Sequence, residues 1–235
     1  MLHSIRDLMH FTAKAGEATF PIKNAFFSLQ RARLSFLVID TGSWFNSDMV
    51  LIASHLIKDV ALHDASVALD TSEQAIKSAP VWNEGSGSLL EMMPPIVVGP
   101  FGNTFSPLML AASATEVEET RLSGEPLLKT LSDFESFRGT DVFGSDGELG
   151  RINDILFDKD SHALTHLVID NLRMEIGRER IVPIEKLRYE AEQETHIVLD
   201  LTSTEINDAP RLQRTDTLEP ERIEALRNYY KLPIL

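Results

Sequence analysis

The chain repeats itself. Slid against itself by 130 positions, residues 22–80 lie over residues 152–210 without a gap, and 13 of the 59 aligned positions are identical. Unrelated sequences of ordinary composition would share about three or four. Phe36-Leu37-Val38-Ile39-Asp40 falls on His166-Leu167-Val168-Ile169-Asp170, Ala68-Leu69-Asp70 on Val198-Leu199-Asp200, and Ala79-Pro80 on Ala209-Pro210. Most other positions keep their character, as at Phe26/Leu156, Leu51/Ile181 and Val67/Ile197. A chain of this kind has to fold the same way twice, so any fold proposed for one copy must suit the other.

The copies span residues 1–80 and 131–212. Residues 81–130 read as a linker. They hold Gly85-Ser86-Gly87, then Pro94, Pro95, Pro100 and Pro107, then the acidic Glu116, Glu118 and Glu119, with a short helix expected within Ala111–Leu122. Met92–Thr115 carries no charge, but four prolines and two glycines oppose a membrane-spanning helix, in which each interior proline costs about 3 kcal/mol. Residues 213–235 form a tail in which Pro220 suits a first helical turn, Ile223, Leu226 and Tyr230 share one face, and Pro233 stops the helix.

The second copy shows its elements best. Ser145-Asp146-Gly147-Glu148 reads as a turn in which glycine supplies a positive φ. Leu149–Asp158 reads as a strand burying Ile152, Ile155 and Phe157, with a bulge near Asp154 because the apolar spacing is not strictly two. Strands follow at Ala163–Asp170, Arg180–Pro183 and Thr195–Asp200, with a brief helical turn at Ile184–Leu187. Leu167-Val168-Ile169 is expected at the centre, and Pro183 at an edge or terminus. Thr202-Ser203-Thr204-Glu205 has the form of a capping box opening a short helix, and Asp70-Thr71-Ser72-Glu73 is its counterpart in the first copy. Short strands, tight turns and little helix predict a mainly β fold of two small barrels, with short helices after each barrel and at the C-terminus.

Charge and chemistry narrow the function. With 22 Lys and Arg against 36 Asp and Glu, the net charge of −14 argues against a nucleic-acid partner. The chain has no cysteine, which excludes disulfides, thiolate metal sites and cysteine nucleophiles and fits a reducing, cytoplasmic setting. Its start shows no signal peptide. No Gly-x-Ser-x-Gly elbow and no phosphate-binding glycine loop occurs. Among the seven histidines, His162 and His166 with Asp158 and Asp160 are the best metal candidates, but they straddle a turn and a strand, where a four-residue spacing does not converge. Asp40 and Asp170 sit at equivalent places, which points to a shared structural role at a strand end. Trp44-Phe45 is read as barrel packing, with a partner-binding patch as the alternative. No catalytic, cofactor or metal residue is therefore assigned.

The ordered motifs Asp146-Gly147-Glu148-Leu149-Gly150, Asp154-Ile155-Leu156-Phe157-Asp158, Leu167-Val168-Ile169-Asp170 and Ile181-Val182-Pro183 resemble the PRC-barrel family, and so do Met1–Leu8 and Phe36–Trp44 of the first copy, whose likeness is to bacterial members. The family takes its name from the cytoplasmic domain of the photosynthetic reaction-centre H subunit. The resemblance implies a small β-barrel used for docking rather than catalysis. That makes the expected function a non-enzymatic protein-binding or assembly module without a cofactor, associated with a membrane or electron-transport complex through another protein or through self-association as a homodimer. The alternative is a small-molecule or metal-binding protein that uses the groove between the barrels. The first copy departs from the pattern at Ala15–Phe20, where Phe20 stands in place of Gly150, so its first hairpin is expected to differ.

Overall fold

The computed structural model describes residues 1–42, 48–79, 96–97, 104–105, 131–171, 179–190, 196–210 and 220–232. Trp44-Phe45, Gly85–Gly87, the acidic patch, the helix expected within 111–122 and Pro233 lie outside them.

Strands run in chain order as β1 (Leu2–Ser4), β2 (Thr12–Ala15), β3 (Ala18–Ser28), β4 (Arg33–Asp40), β5 (Met49–Ala53), β6 (Ile57–Ala61), β7 (Ser66–Leu69), β8 (Ile96–Val97), β9 (Thr104–Phe105), β10 (Ser132–Asp133), β11 (Asp141–Gly144), β12 (Gly147–Asp158), β13 (Leu164–Asp170), β14 (Glu179–Pro183), β15 (Leu187–Glu190) and β16 (His196–Leu199). The fold is mainly β, with short helices at Ile5–Leu8, Glu73–Lys77, Phe134–Phe137 and Ser203–Asp208 and a longer one at Pro220–Tyr229. Among the described residues no helix is long and apolar enough to cross a membrane.

Two compact units divide the chain. One holds Met1–Arg6, Arg31–Arg33 and Phe134–Leu235; the other holds Asp7–Gln30 and Leu34–Asp133. The first unit is built on a seven-stranded sheet in the order β14-β13-β12-β11-β16-β15, with β1 paired to β12. The second is built on a nine-stranded sheet in the order β6-β7-β2-β3-β4-β5-β8-β9, with β10 paired to β3. Shifted by one copy, the order β5-β4-β3-β2-β7-β6 is that of the first sheet. Within these six strands the parallel contact is repeated as well, β2 with β7 and β11 with β16. The duplication read from sequence is therefore a duplication of strand topology.

Two features fall outside the sequence repeat. Residues 1–6 join the unit of the second copy, and Ser132–Asp133 join the unit of the first. From the segment expected to be linker, β8 lies parallel to β5 and β9 antiparallel to β8.

Local chemistry explains the elements. Leu167, Val168 and Ile169 are fully buried on β13, which lies between β12 and β14. β14, ending in Pro183, is the terminal strand of its sheet, where a missing N–H is tolerated. Ile152, Ile155 and Phe157 are buried as expected. The bulge is present: Ile152 faces Ile169 while Asp154 faces Val168, so Asn153 is the extra residue on β12. A further register shift, on β11 between Val142 and Phe143, leaves Leu149 as an extra residue of the second copy and brings Gly150 opposite Val142. Gly150 has φ +145°, and a Cβ there would lie 2.2 Å from the Asp170 carbonyl oxygen. The first copy has no such insertion. Its hairpin runs in continuous register from Thr12–Pro21 to Ala15–Ala18, and so accepts Phe20.

The helix after the second copy opens on the expected capping box, with Thr202 and Glu205 each bonding the other's backbone N–H. In the first copy the cap falls on Ser72, which accepts from the Ala75 N–H at 3.1 Å, rather than on the Asp70–Glu73 motif. Ser72 is the counterpart of Thr202, but Ala75 replaces Glu205, so no reciprocal bond forms there. The tail helix packs on the first unit through Leu226 and Tyr230, both buried, while Ile223 is half-buried.

Candidate functional site

Among the described residues, buried ionisable side chains fall in one unit. Among the described residues His3, Arg6, Asp154, His162, His166 and Arg180 are buried, and all belong to the unit of the second copy. The buried polar residues of the other unit are Asn24, Ser28, Ser54, Ser66 and Thr71, none of which ionises. Removing a charge from water is costly unless donors or a counter-charge replace the water, so each buried group needs a physical account.

Asp154 sits just past the β12 bulge and is 1% exposed. The bulge turns its side chain inward, beneath residues 4–6. Its Oδ2 accepts from the Ser4 hydroxyl at 2.5 Å, and its Oδ1 accepts from the N–H of Arg6 at 2.9 Å and of Ile155 at 2.7 Å. Burial pushes its pKa up to about 6, against the opposing pull of the Ser4 and Arg6 hydrogen bonds and the Arg6 charge. The Arg6 guanidinium pairs at 3.1 Å with Glu179 at the start of β14, and the Asn153 amide donates to the same Glu179 oxygen. The result is one connected polar cluster of Ser4, Arg6, Asn153, Asp154 and Glu179.

In the other unit Asn24 takes the place of Asp154. Its Oδ1 accepts from the following N–H, that of Ala25, at 2.8 Å, and its Nδ2 donates to Asp133 at 3.2 Å. Position and side-chain turn are repeated, but donor and acceptor are reversed.

Arg180 on β14 is fully buried where the first copy has Val50. Its Nη1 donates to the Glu179 carbonyl at 3.2 Å, and its Nη2 donates to the Asn207 carbonyl at 3.3 Å. Asn207 lies in the Ser203–Asp208 helix and also accepts from Asn171 at 2.6 Å through its side chain. His166 stands on β13 where the first copy has Phe36. Burial lowers its pKa to about 4, the Arg227 charge adds to this, and Glu185 opposes it.

The four metal candidates are engaged separately. Asp158 Oδ1 accepts from the Ser161 N–H at 2.9 Å and the Ser161 hydroxyl at 2.8 Å, so it folds back on its own turn. Although partial burial works against it, these bonds and the neighbouring ammonium of Met1 bring Asp158 down to about 2. Asp160 pairs with Lys159 at 2.7 Å. His162 holds a left-handed backbone with φ 59°, and His166 Nδ1 lies 2.9 Å from the Thr165 hydroxyl. Among the described residues no group of three or more His, Asp or Glu could hold a metal ion. Asp40 accepts from the N–H groups of Gly42 at 2.9 Å and Asp48 at 3.2 Å, so it ties the end of β4 to the residue before β5. Asp170 likewise ends its strand, β13.

The arrangement around Asp154 can hold strands, but it offers little to a substrate, because both carboxylate oxygens are filled by donors of the same unit. Residues 130–205 match the PRC-barrel domain family. The matched stretch runs from just before β10 into the Ser203–Asp208 helix, so the PRC-barrel segment carries Asp154, His166 and Arg180 itself. β1, which supplies Ser4 to Asp154, lies outside it. No curated protein matches the chain.

Sequence reasoning reached the bulge but not what it buries. The signal lay in the self-alignment, where Asn24, Phe36 and Val50 of one copy face Asp154, His166 and Arg180 of the other. Three positions neutral in one copy are ionisable in the other, on strands that are buried in both.

Proposed function

We propose that this chain is a non-catalytic protein-binding or assembly module made of two tandem PRC-type barrels, residues 1–80 being the second barrel of the same kind. The observation that carries the reading is the repeated strand order, β5-β4-β3-β2-β7-β6 and β14-β13-β12-β11-β16-β15, of which one instance falls in the matched PRC-barrel segment. The chemistry of the interior supports it. Asp154, the buried acid with the most perturbed environment, is spent on internal hydrogen bonds. Likeness to the reaction-centre H subunit's cytoplasmic domain suggests a partner within a membrane or electron-transport complex, reached through protein contacts because a chain of net charge −14 is repelled by anionic lipid. Self-association as a dimer is the simplest case, and a cytoplasmic location fits the absence of cysteine.

The test is light scattering on the purified chain, combined with affinity capture and reconstitution of each captured protein in a two-component titration. A saturable binary complex or a defined dimer supports the reading. A chain that stays monomeric, yields no reconstitutable partner and is stabilised in a concentration-dependent way by a metal ion or small molecule would shift it to ligand binding.

A further inference from the structure

The two first strands meet their sheets in one register. His3 lies opposite Phe157 and Ser4 opposite Leu156; Ser132 lies opposite Phe27 and Asp133 opposite Phe26. Phe157 and Leu156 are the repeat counterparts of Phe27 and Phe26, so the sites that receive these strands are equivalent. Each is filled by the strand that opens the other sequence copy. β1 precedes the first copy and lies on β12; β10 precedes the second and lies on β3.

Because the sites are equivalent, an alternative exists in which each copy keeps its own first strand. The polar residues separate the two arrangements. As observed, the Ser4 hydroxyl donates to Asp154, Arg6 pairs with Glu179 at 3.1 Å, and the Asn24 amide donates to Asp133 at 3.2 Å. Every contact joins a donor to an acceptor. In the own-copy arrangement the register places Asp133 against Asp154. It also places Glu135, the counterpart of Arg6, against Glu179, the counterpart of Met49. Two carboxylate pairs would then meet, and Arg6 would exchange Glu179 for Met49. Like charges brought together in a buried setting are strongly disfavoured, and such mismatches are a general device for choosing one pairing over another.

We propose that Ser4, Arg6, Asn24, Asp133, Asp154 and Glu179 form a pairing code that makes each sheet a selective acceptor for the first strand of the other copy. The inference stands apart from the proposed function, since it concerns which strand fills which site and holds whatever the chain binds.

Cysteine cross-linking tests it directly, because the chain has no native thiol. Leu2 lies opposite Asp158, and the repeat counterpart of Asp158 is Ser28. Paired strand positions lie within disulfide reach. At pH 8, where Asp154 is ionised, Leu2→Cys with Asp158→Cys should form an intrachain disulfide. Leu2→Cys with Ser28→Cys should form at least about tenfold less, the ratio set by roughly 1.4 kcal/mol. Exchanging the acceptor residues between sheets (Asn24→Asp and Met49→Glu with Asp154→Asn and Glu179→Met) should reverse the preference. Equal yields with the native code, or the same preference after the exchange, would overturn the proposal. Should that variant fail to fold, Asp133→Ser with Glu135→Arg gives the second arm the residues of the first. The own-copy link between Leu131→Cys and Asp158→Cys should then appear, and its absence would count equally against the code.

Discussion

Asp154 and His166 lie on neighbouring strands of one sheet and make opposite demands on protons. Asp154 titrates near 6 in the fold against 3.8 for the free side chain, so between those values the folded state holds a proton that the unfolded state has released. Stability from this group is full below about 3.8 and falls as pH rises through 6. At 1.36 kcal/mol per pH unit the loss comes to about 3 kcal/mol. His166 titrates near 4 against 6.5, so between those values the unfolded state holds the extra proton. Its contribution is full above about 6.5 and falls as pH drops through 4, again by about 3 kcal/mol. The two slopes occupy nearly the same window with opposite signs, so between about 4 and 6 the contributions of this pair oppose each other.

The first copy supplies the perturbations, since it carries Asn24 and Phe36 at these positions. Asp154→Asn keeps the acceptor for the Ile155 N–H, as Asn24 does for Ala25. Relative to the native chain it should gain about 3 kcal/mol more at pH 7.5 than at pH 4, because only the native chain carries the cost of ionising a buried acid. His166→Phe should show the reverse, doing about 3 kcal/mol better at pH 4 than at pH 7.5. The assay is urea denaturation at both pH values, followed by amide exchange at Leu167–Ile169 so that this sheet is observed rather than the other. The reasoning fails if the two variants shift in the same direction, or if either pH-dependent difference is under about 0.5 kcal/mol, which is the size of an ordinary surface substitution.

Three further outcomes follow from single contacts. Gly150→Ala should destabilise by about 1–3 kcal/mol, because the new methyl meets the Asp170 carbonyl in a backbone conformation that favours glycine, and thermal unfolding would reveal it. Tyr230→Phe removes the 2.9 Å bond from the tyrosine hydroxyl to the Ile181 carbonyl and should cost about 1 kcal/mol, with faster amide exchange in the Pro220–Tyr229 helix. Ser161→Ala removes one donor to Asp158, so carboxyl NMR should show that group titrating above its present value of about 2.

Most of the strand plan was legible because it rests on local signals. Apolar runs such as Leu167-Val168-Ile169 and the Thr202 capping box act within a few positions of themselves, and the structure places both where the sequence did; the turn expected over Ser145–Glu148 is tighter, with Gly147, at its expected positive φ, already opening β12. The Asp154 cluster was not legible because its parts are far apart: Ser4 and Asp154 are separated by 150 residues. The gap-free repeat begins at Ile22 and Ile152, so neither first strand lies inside it, and three-residue β1 and two-residue β10 are too short to carry a periodic signal of their own. The first cap was misplaced by two residues for a related reason. Asp70–Glu73 satisfies the motif, but the repeat dictates that the helix open where its counterpart does, at Ser72.

The differences between the copies have a direction. At three buried strand positions the second copy carries Asp154, His166 and Arg180 where the first has Asn, Phe and Val, so the burden of ionisable groups falls on one sheet. Such groups cost stability unless fitted with partners, and each here has them within its own unit: Ser4 and Arg6 for Asp154, Thr165 for His166, the Asn207 and Glu179 carbonyls for Arg180. Two of the partners of Asp154 arrive on residues 1–6, Ser4 at the end of β1 and Arg6 in the short helix that follows it. That segment therefore does more than extend the sheet by three residues; it supplies two of the three donors to the buried acid, and without it only the Ile155 N–H remains. Its removal should expose or strand Asp154 and so weaken the PRC-barrel segment, although every residue removed lies outside the segment that the family defines.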